Sequence, residues 1–434
     1  MTALSFPVNW LIASLLLLVL GIFLSAYLQG AFRHHIRYRL QSLPDPETSN
    51  FALTVASLTD SFLTWGQPTG FWLEADAIYA ARLNAIQQAQ QIICFETFIM
   101  TPGRRAEQFA DAIAQRARAG VTVQMVVDHH GTETIPQKYW QKLRAAGVEV
   151  RFFSPLSWRS PVEYLARTHR KLLLIDHTTA LIGGAGISDA WDGQEKPGHP
   201  FPWLDFEVRF TGQVVARLEG LFLQHWLDTG GTVDLMAQPN AQTSLVKSEA
   251  DSEILVTAGE DPTTRNSPLR SFFLGLICAA RQRIWIASPY LFPDHNTRAA
   301  IVRARQRGVE VRILTMGKIC DKPMVHYTAQ ELYGKLLTTD VNIYEYQPSM
   351  MHSKVILVDD TWVSIGSANF DPRSFLHNDE LNLTTAQAAL FQQIEQFFVR
   401  AFAQSDCVNL RAWHKRPLWE KLQGRLGLLL RHQM

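Results

Sequence analysis

The distribution of apolar and polar positions divides the chain into one long apolar run followed by a body of short, regularly ordered elements. Val8 to Leu28 (VNWLIASLLLLVLGIFLSAYL) carries no charged side chain. At about 1.5 Å per residue its length matches a hydrocarbon core of about 30 Å, which predicts a transmembrane helix over residues 7–29. Gln41 to Asn50 (QSLPDPETSN) is polar and holds two prolines, so residues 30–59 read as a juxtamembrane tether.

Beyond residue 60 the same order of elements occurs twice. In the first stretch, Gln91–Phe98, Val121–Asp128 and Val148–Phe153 are short apolar runs of the strand type, separated by amphipathic helical patterns at Arg104–Gly120 and Gln137–Gly147. In the second, Arg283–Pro289, Val309–Met316 and Val341–Tyr346 alternate with helical patterns at Thr297–Gly308 and Val325–Leu337. The pieces ARAGVTV and RQRGVEV, ending at Val123 and Val311, occupy matching places. Such alternation predicts an α/β fold, each half a largely parallel sheet with helices on both faces. The halves span residues 60–230 and 252–406 and are expected to be related by a pseudo-twofold axis. Residues 231–251 form the linker, and residues 407–434 a basic amphipathic C-terminal helix.

Composition narrows the picture. A chain of 434 residues exceeds what one core ordinarily supports, in keeping with duplication. Lys plus Arg (41) nearly equals Asp plus Glu (40), so no global field draws nucleic acid, and any anion must be held by local charge. Cys94, Cys278, Cys320 and Cys407 are scattered without a C-x-x-C pair, which argues against a disulfide framework or a zinc site. Arg33, Arg37 and Arg39 directly follow the apolar run; by the positive-inside rule they place the N-terminus outside and the body in the cytoplasm, on a single-pass anchor.

The chemistry lies in a doubled pattern, H-x-K-x-x-x-x-D, found as His169, Lys171, Asp176 and again as His352, Lys354, Asp359. In an extended chain residues i and i+2 share a face, so each His projects with its Lys. If the halves converge, one pocket holds two imidazoles and two ammonium groups. That set suits a phosphodiester without metal or cofactor. One neutral imidazole attacks phosphorus, the other protonates the departing alkoxide, and the lysines stabilise charge on the non-bridging oxygens. Each imidazole needs an acceptor on its other nitrogen; Asp205 in PWLDFEVRF and Glu380 in HNDELNL, downstream of the first and second copies, are the candidates. Asp176 and Asp359 belong to the signature but stand at an odd offset, so they read as structural, holding the turn and the contact between halves.

At these residues the chain resembles the phospholipase D superfamily, whose defining HKD motif is the repeated pattern. Through FETFIM, THRKLLLID with ALIGG, PWLDFEVRFTG, SPYLFP, MHSKVILVDD, GSANFDPRS and NDELNL it is most similar to bacterial cardiolipin synthases, over roughly residues 60–406. The resemblance implies duplicated α/β/α sandwich halves and transfer of a phosphatidyl group from one phosphatidylglycerol to another, releasing glycerol. It implies His169 as nucleophile and His352 as general acid/base, with Lys171, Lys354, Asn369 and Ser367 binding phosphate. It also implies phospholipid partners rather than nucleic acid, and a bacterial inner-membrane location. Water as acceptor would make the same chemistry a phospholipase D hydrolase, and another alcohol a different phospholipid synthase. The charge balance and the anchor disfavour a nucleic-acid phosphodiesterase. The first copy departs from the family in having Gly186 where the second has Asn369.

Overall fold

In the computed structural model, residues 8–28, 40, 43–158, 163–193, 201–233, 247–260 and 267–430 are described. Arg33, Arg37 and Arg39, most of the expected linker, the middle of the loop between Trp191 and Pro202, and residues 431–434 lie outside them. Residues 1–39 and 40–434 form separate units. In the first, Val8–Leu28 is a helix, with Trp10, Leu11, Ile12 and Leu15–Leu20 all exposed. Among the described residues no helix is long and apolar enough to cross a membrane.

The second unit is built on sixteen strands: β1 Phe62–Leu73, β2 Ile92–Thr97, β3 Thr122–Asp128, β4 Glu149–Phe153, β5 Arg167–Thr168, β6 Leu172–Ile175, β7 Thr179–Gly183, β8 Phe206–Thr211, β9 Ser252–Gly259, β10 Arg283–Ala287, β11 Glu310–Met316, β12 Asn342–Tyr346, β13 Val355–Val358, β14 Trp362–Gly366, β15 Asn378–Thr385 and β16 Ser405–Cys407. They form one sheet in the order β16-β12-β11-β10-β13-β14-β15-β9-β1-β8-β7-β6-β2-β3-β4, with β5 paired to β15. Outward from the central antiparallel pair β1–β9, the two sides read alike: β1-β8-β7-β6-β2-β3-β4 and β9-β15-β14-β13-β10-β11-β12. This is the duplication written as strand order.

The expectation of a largely parallel sheet is corrected. Parallel pairing is confined to β2–β3–β4, β10–β11–β12 and the short β5–β15 contact; the remaining neighbours are antiparallel. Helical crossovers show as helical periodicity and were legible. The hairpins β6–β7 and β13–β14 are too short to show more than apolar runs, and β1 is masked by Gly66, Pro68 and Gly70.

Helices cover both faces. On one, helices Val214–Asp228 and Ala388–Ala403 bury Leu218, Phe222, Trp226, Phe397, Phe398 and Phe402 in a core shared by both halves. On the other, helices Glu74–Gln88, Arg104–Arg118 and Gln137–Ala145 pack a core belonging to the first half. Phe51–Thr59, read from the sequence as the end of the tether, is a helix instead. Phe51 is fully buried with its ring 5.4 Å from Trp362, whose indole N–H donates to Pro46 O (2.8 Å), so apolar burial holds this segment on the body.

Candidate active site

His169 and Lys171 lie in the extended link between β5 and β6, and His352 and Lys354 directly precede β13. Each half presents its motif to a strand of the other. The His169 N–H donates to Asp379 O (2.8 Å) at the start of β15, and the His352 N–H donates to Leu204 O (2.9 Å) just before β8. Each imidazole is thereby set beside the acid that follows that carbonyl. His169 Nδ1 lies 3.1 and 3.0 Å from Glu380 Oε1 and Oε2, and His352 Nδ1 lies 2.9 Å from Asp205 Oδ2. The pairs therefore cross between halves, a relation that order along the chain does not indicate.

The partners decide the tautomers. His169 Nδ1 faces only acceptors, Glu380 and Ser367 O (3.0 Å), so it carries the hydrogen and Nε2 keeps its lone pair. His352 Nδ1 faces Asp205 Oδ2 and also Lys354 Nζ (3.0 Å), which stands 3.1 Å from Nε2 as well; the carboxylate can only accept, so it draws the hydrogen to Nδ1 and leaves the Nε2 lone pair beside the ammonium. Both acids are themselves held: Ser367 Oγ (2.5 Å) and Ser374 Oγ (2.6 Å) donate to Glu380, and the Trp191 indole (3.0 Å) and the Phe206 N–H (2.9 Å) donate to Asp205. Gly184 makes room for Asp205, since a Cβ there would stand 2.3 Å from Oδ1. Aromatic rings wall the imidazoles, Phe98 at 5.3 Å from His169, Trp191 and Trp203 at 5.2 and 5.6 Å from His352.

Lys171 Nζ donates to His169 O (2.7 Å) and Lys354 Nζ to His352 O (2.5 Å), so each ammonium folds back beside its histidine. Lys354 is close enough to depress Lys171. Burial and Lys354 bring Lys171 down to about 7, and burial brings Lys354 down to about 8 against the pull of Asp205 and Glu380. Burial, with the lysines adding to it, also brings both histidines to about 4 although their acids oppose the shift. Burial alone would raise Glu380 and Asp205; the facing histidines and lysines more than offset it and hold both carboxylates below their ordinary range. The site thus pairs neutral imidazoles with ionised acids.

Three expectations change on this geometry. Asp176 and Asp359 stand at the far ends of β6 and β13 from the lysines, about 13 Å along a four-residue strand. Both take left-handed backbone (φ +51). The Asp176 carboxylate accepts the N–H groups of residues 90–92 and that of Asp359 those of residues 281–283, which starts β2 and β10. They hold turns, each inside its own half, and neither reaches the site nor bridges the halves. Ser367, expected to bind phosphate, has its hydroxyl committed, donating to Glu380 and accepting from Leu381 N (3.0 Å). Asn369 is buried and its Oδ1 has no hydrogen-bond partner among the described residues; an amide oxygen only accepts, so the expected phosphate contact falls to the NH2 end of the same amide. Ser374 and Trp191 are not among the residues expected from the sequence; Ser374 ends the segment GSANFDPRS, and Trp191 opens the loop before Asp205.

The sequence matches the family described as "Cardiolipin synthase, PLD-like domain" over residues 83–191 and 273–402, which carry both His-Lys motifs and Glu380, while Asp205 lies just beyond the first stretch. The chain belongs to this family. Among curated proteins it is 32% identical to Cardiolipin synthase A of Pseudomonas fluorescens over 82% of this chain and 73% of the relative. It is 30% identical to the Cardiolipin synthase of Alkalihalophilus pseudofirmus over 83% and 71%. Among solved structures, phosphatidylserine synthase of Haemophilus influenzae shares the fold, with a TM-score of 0.68 at 12% identity over 88% of this chain and 98% of that one.

Within this cardiolipin synthase family member, Gly186 answers to packing. A Cβ there would stand 2.2 Å from the Ile99 side chain and 2.6 Å from its carbonyl oxygen, while Gly186 O accepts from Tyr79 Oη (3.1 Å) and Arg82 Nη1 (3.0 Å). No asparagine fits at that place, so any amide contact to phosphate is left to Asn369.

Proposed function

We propose that the chain is a membrane-bound phosphatidyltransferase that joins two phosphatidylglycerols into cardiolipin and glycerol through a phosphohistidine. The crossed arrangement of two neutral, acid-oriented imidazoles between two lysines carries the reading. Nε2 of His169 attacks phosphorus, the P–O bond to glycerol breaks, and His352 delivers its proton to the leaving oxygen. His352 then takes the proton of the second phosphatidylglycerol's hydroxyl, whose oxygen displaces His169 from phosphorus. Lys171, Lys354 and the Asn369 amide hold the non-bridging oxygens, and no metal enters any step. Purified full-length protein incubated in detergent with phosphatidylglycerol is expected to yield cardiolipin and glycerol; phosphatidic acid as the sole product would replace this reading with hydrolysis.

An anionic diester between the lysines offsets the positive charge that holds the imidazoles down, so the proton needed on His352 is taken up with substrate. Calorimetry of a phosphodiester analogue in buffers of different ionisation enthalpy should show net proton uptake near pH 7. A lysine with a lowered pKa is charged below that value and neutral above it. kcat/KM should therefore fall as pH rises through about 7 to 8. Lys171→Met or Lys354→Met should each lose about 10²- to 10³-fold in kcat. A flat profile from pH 6 to 9, or a near-normal methionine variant, would remove the lysines from the mechanism.

For the location we propose the single-pass anchor over residues 7–29, with the catalytic halves at residues 60–230 and 252–406 in the cytoplasm of a bacterial cell. The C-terminal helix Leu418–Leu430 supports contact with the bilayer surface. Gly424 and Gly427 seat it against Tyr327 and Thr328, while Leu418, Trp419, Leu422, Leu426 and Leu429 line its exposed side. Residues 407–434 hold six Lys or Arg against the single acid Glu420, a balance suited to anionic lipid. A spin label at Leu426→Cys in full-length protein reconstituted with phosphatidylglycerol should be shielded from a water-soluble relaxant. Accessibility equal to that of a label at exposed Lys335 would exclude the contact.

A further inference from the structure

Behind the two histidines the halves differ in chemistry although their backbones match. Asp379 and Leu204 occupy equivalent places, each accepting the N–H of a motif histidine and each preceding the acid that orients it. Around Leu204 the contacts are apolar or neutral: Met350 and Met351 are fully buried, the Leu204 N–H donates to Met350 O (2.9 Å), and the Ser353 hydroxyl donates to Leu204 O (2.9 Å). Around Asp379 they are ionic. Asp379 Oδ2 lies 3.1 Å from Nε2 of His225, whose Nδ1 lies 2.6 Å from Glu96 Oε1. The Thr168 hydroxyl, one residue before His169, donates to the same Glu96 oxygen. Glu96 and His225 are almost wholly inaccessible, and the proposed reaction leaves all three groups unused.

With a carboxylate at each ring nitrogen, both nitrogens donate, and His225 is an imidazolium. Burial and Arg170 work against the charge, but the two carboxylates more than offset them and leave its pKa raised. Glu96 comes from β2 and His225 from helix Val214–Asp228, both in the first half, whereas Asp379 comes from β15 in the second. The β5–β15 ladder that joins the halves at this place is only two residues long, Arg167↔Asn378 and Thr168↔Asp379. β15 itself is fixed between β9 and β14, so it is β5 and the link carrying His169 that so short a ladder leaves weakly held against Glu380.

We propose that His225 is a positioning residue for the first motif: the clasp Glu96–His225–Asp379, with Thr168 bound to Glu96, fastens the Thr168–His169 link to β15 and so holds His169 against Glu380. A neutral side chain in its place leaves two buried carboxylates without the cation between them, and β5 is pushed away from β15. The 3.0–3.1 Å contact between Glu380 and His169 then opens, while His352, held through Leu204 and Asp205, keeps its orientation. The clasp thus serves one histidine of a pair whose backbones are equivalent.

This inference rests on His169 being the attacking group, and the probe separates the two claims. Phosphatidyl-p-nitrophenol in detergent releases an anion that needs no proton, so the burst of p-nitrophenolate reports attack at phosphorus without the general acid. In full-length protein, His225→Gln should slow the burst about 10²-fold, the cost of displacing a reacting group by about 1 Å, with KM unchanged. Asp379→Asn, which keeps the shape and removes the charge, should do the same and serves if His225→Gln does not fold. A wild-type burst rate in either folded variant would overturn the clasp. A wild-type protein without any burst, yet active in steady state, would overturn the phosphohistidine reading and the clasp with it.

Discussion

Replacement of His169 by alanine is expected to eliminate phosphatidyl transfer, by about 10⁵-fold or more, because no other group can form the bond to phosphorus. His352→Ala should fail differently. General acid–base assistance contributes about 10²- to 10⁴-fold, and the loss should depend on the leaving group. With phosphatidylglycerol the departing glycerol oxygen needs a proton, so the first step stalls. With phosphatidyl-p-nitrophenol it does not, so the burst survives and the covalent intermediate accumulates, since nothing then activates the second alcohol. Mass spectrometry of the acid-labile adduct in His352→Ala should place it on His169. An adduct on His352 in the His169→Ala protein, with its own burst intact, would reverse the assignment.

The parts of this site that were legible in the sequence are those that depend on local spacing. The i, i+2 relation puts each lysine beside its histidine, and the doubling of HxKxxxxD announces two such pairs for one pocket. Asp205 and Glu380 could be singled out as acceptors because each follows its motif at a similar remove. Their exchange between halves could not, since it depends on β1 pairing with β9 and β5 with β15, partners far apart along the chain. Ser367 was misread for a related reason. A serine in a small-residue turn near a phosphate site has the chemistry of an oxyanion ligand, and only the nearness of Glu380 shows its hydroxyl already spent. The parallel-sheet expectation overweighted the helical crossovers, whose 3.6-residue period is strong, against hairpins of four- and five-residue strands that carry little pattern of their own.

The exchange of acids makes the second large prediction specific. A glutamine at 380 can turn its amide donor toward His169 Nδ1, which then accepts, and the hydrogen moves to Nε2 where the lone pair is needed. By analogy with the loss of the orienting aspartate in serine proteases, Glu380→Gln and Asp205→Asn should each cost about 10⁴-fold in turnover. Because Glu380 serves the histidine of the other half, Glu380→Gln should abolish the p-nitrophenolate burst while leaving His352 competent. Asp205→Asn should do the opposite, keeping the burst and blocking both the release of glycerol and the attack of the second lipid. Were each acid to serve the motif it follows in the chain, the two phenotypes would be interchanged. Burst kinetics on the two amide variants therefore test the crossing itself, because the total loss of turnover is the same under either pairing and only its placement between the half-reactions differs.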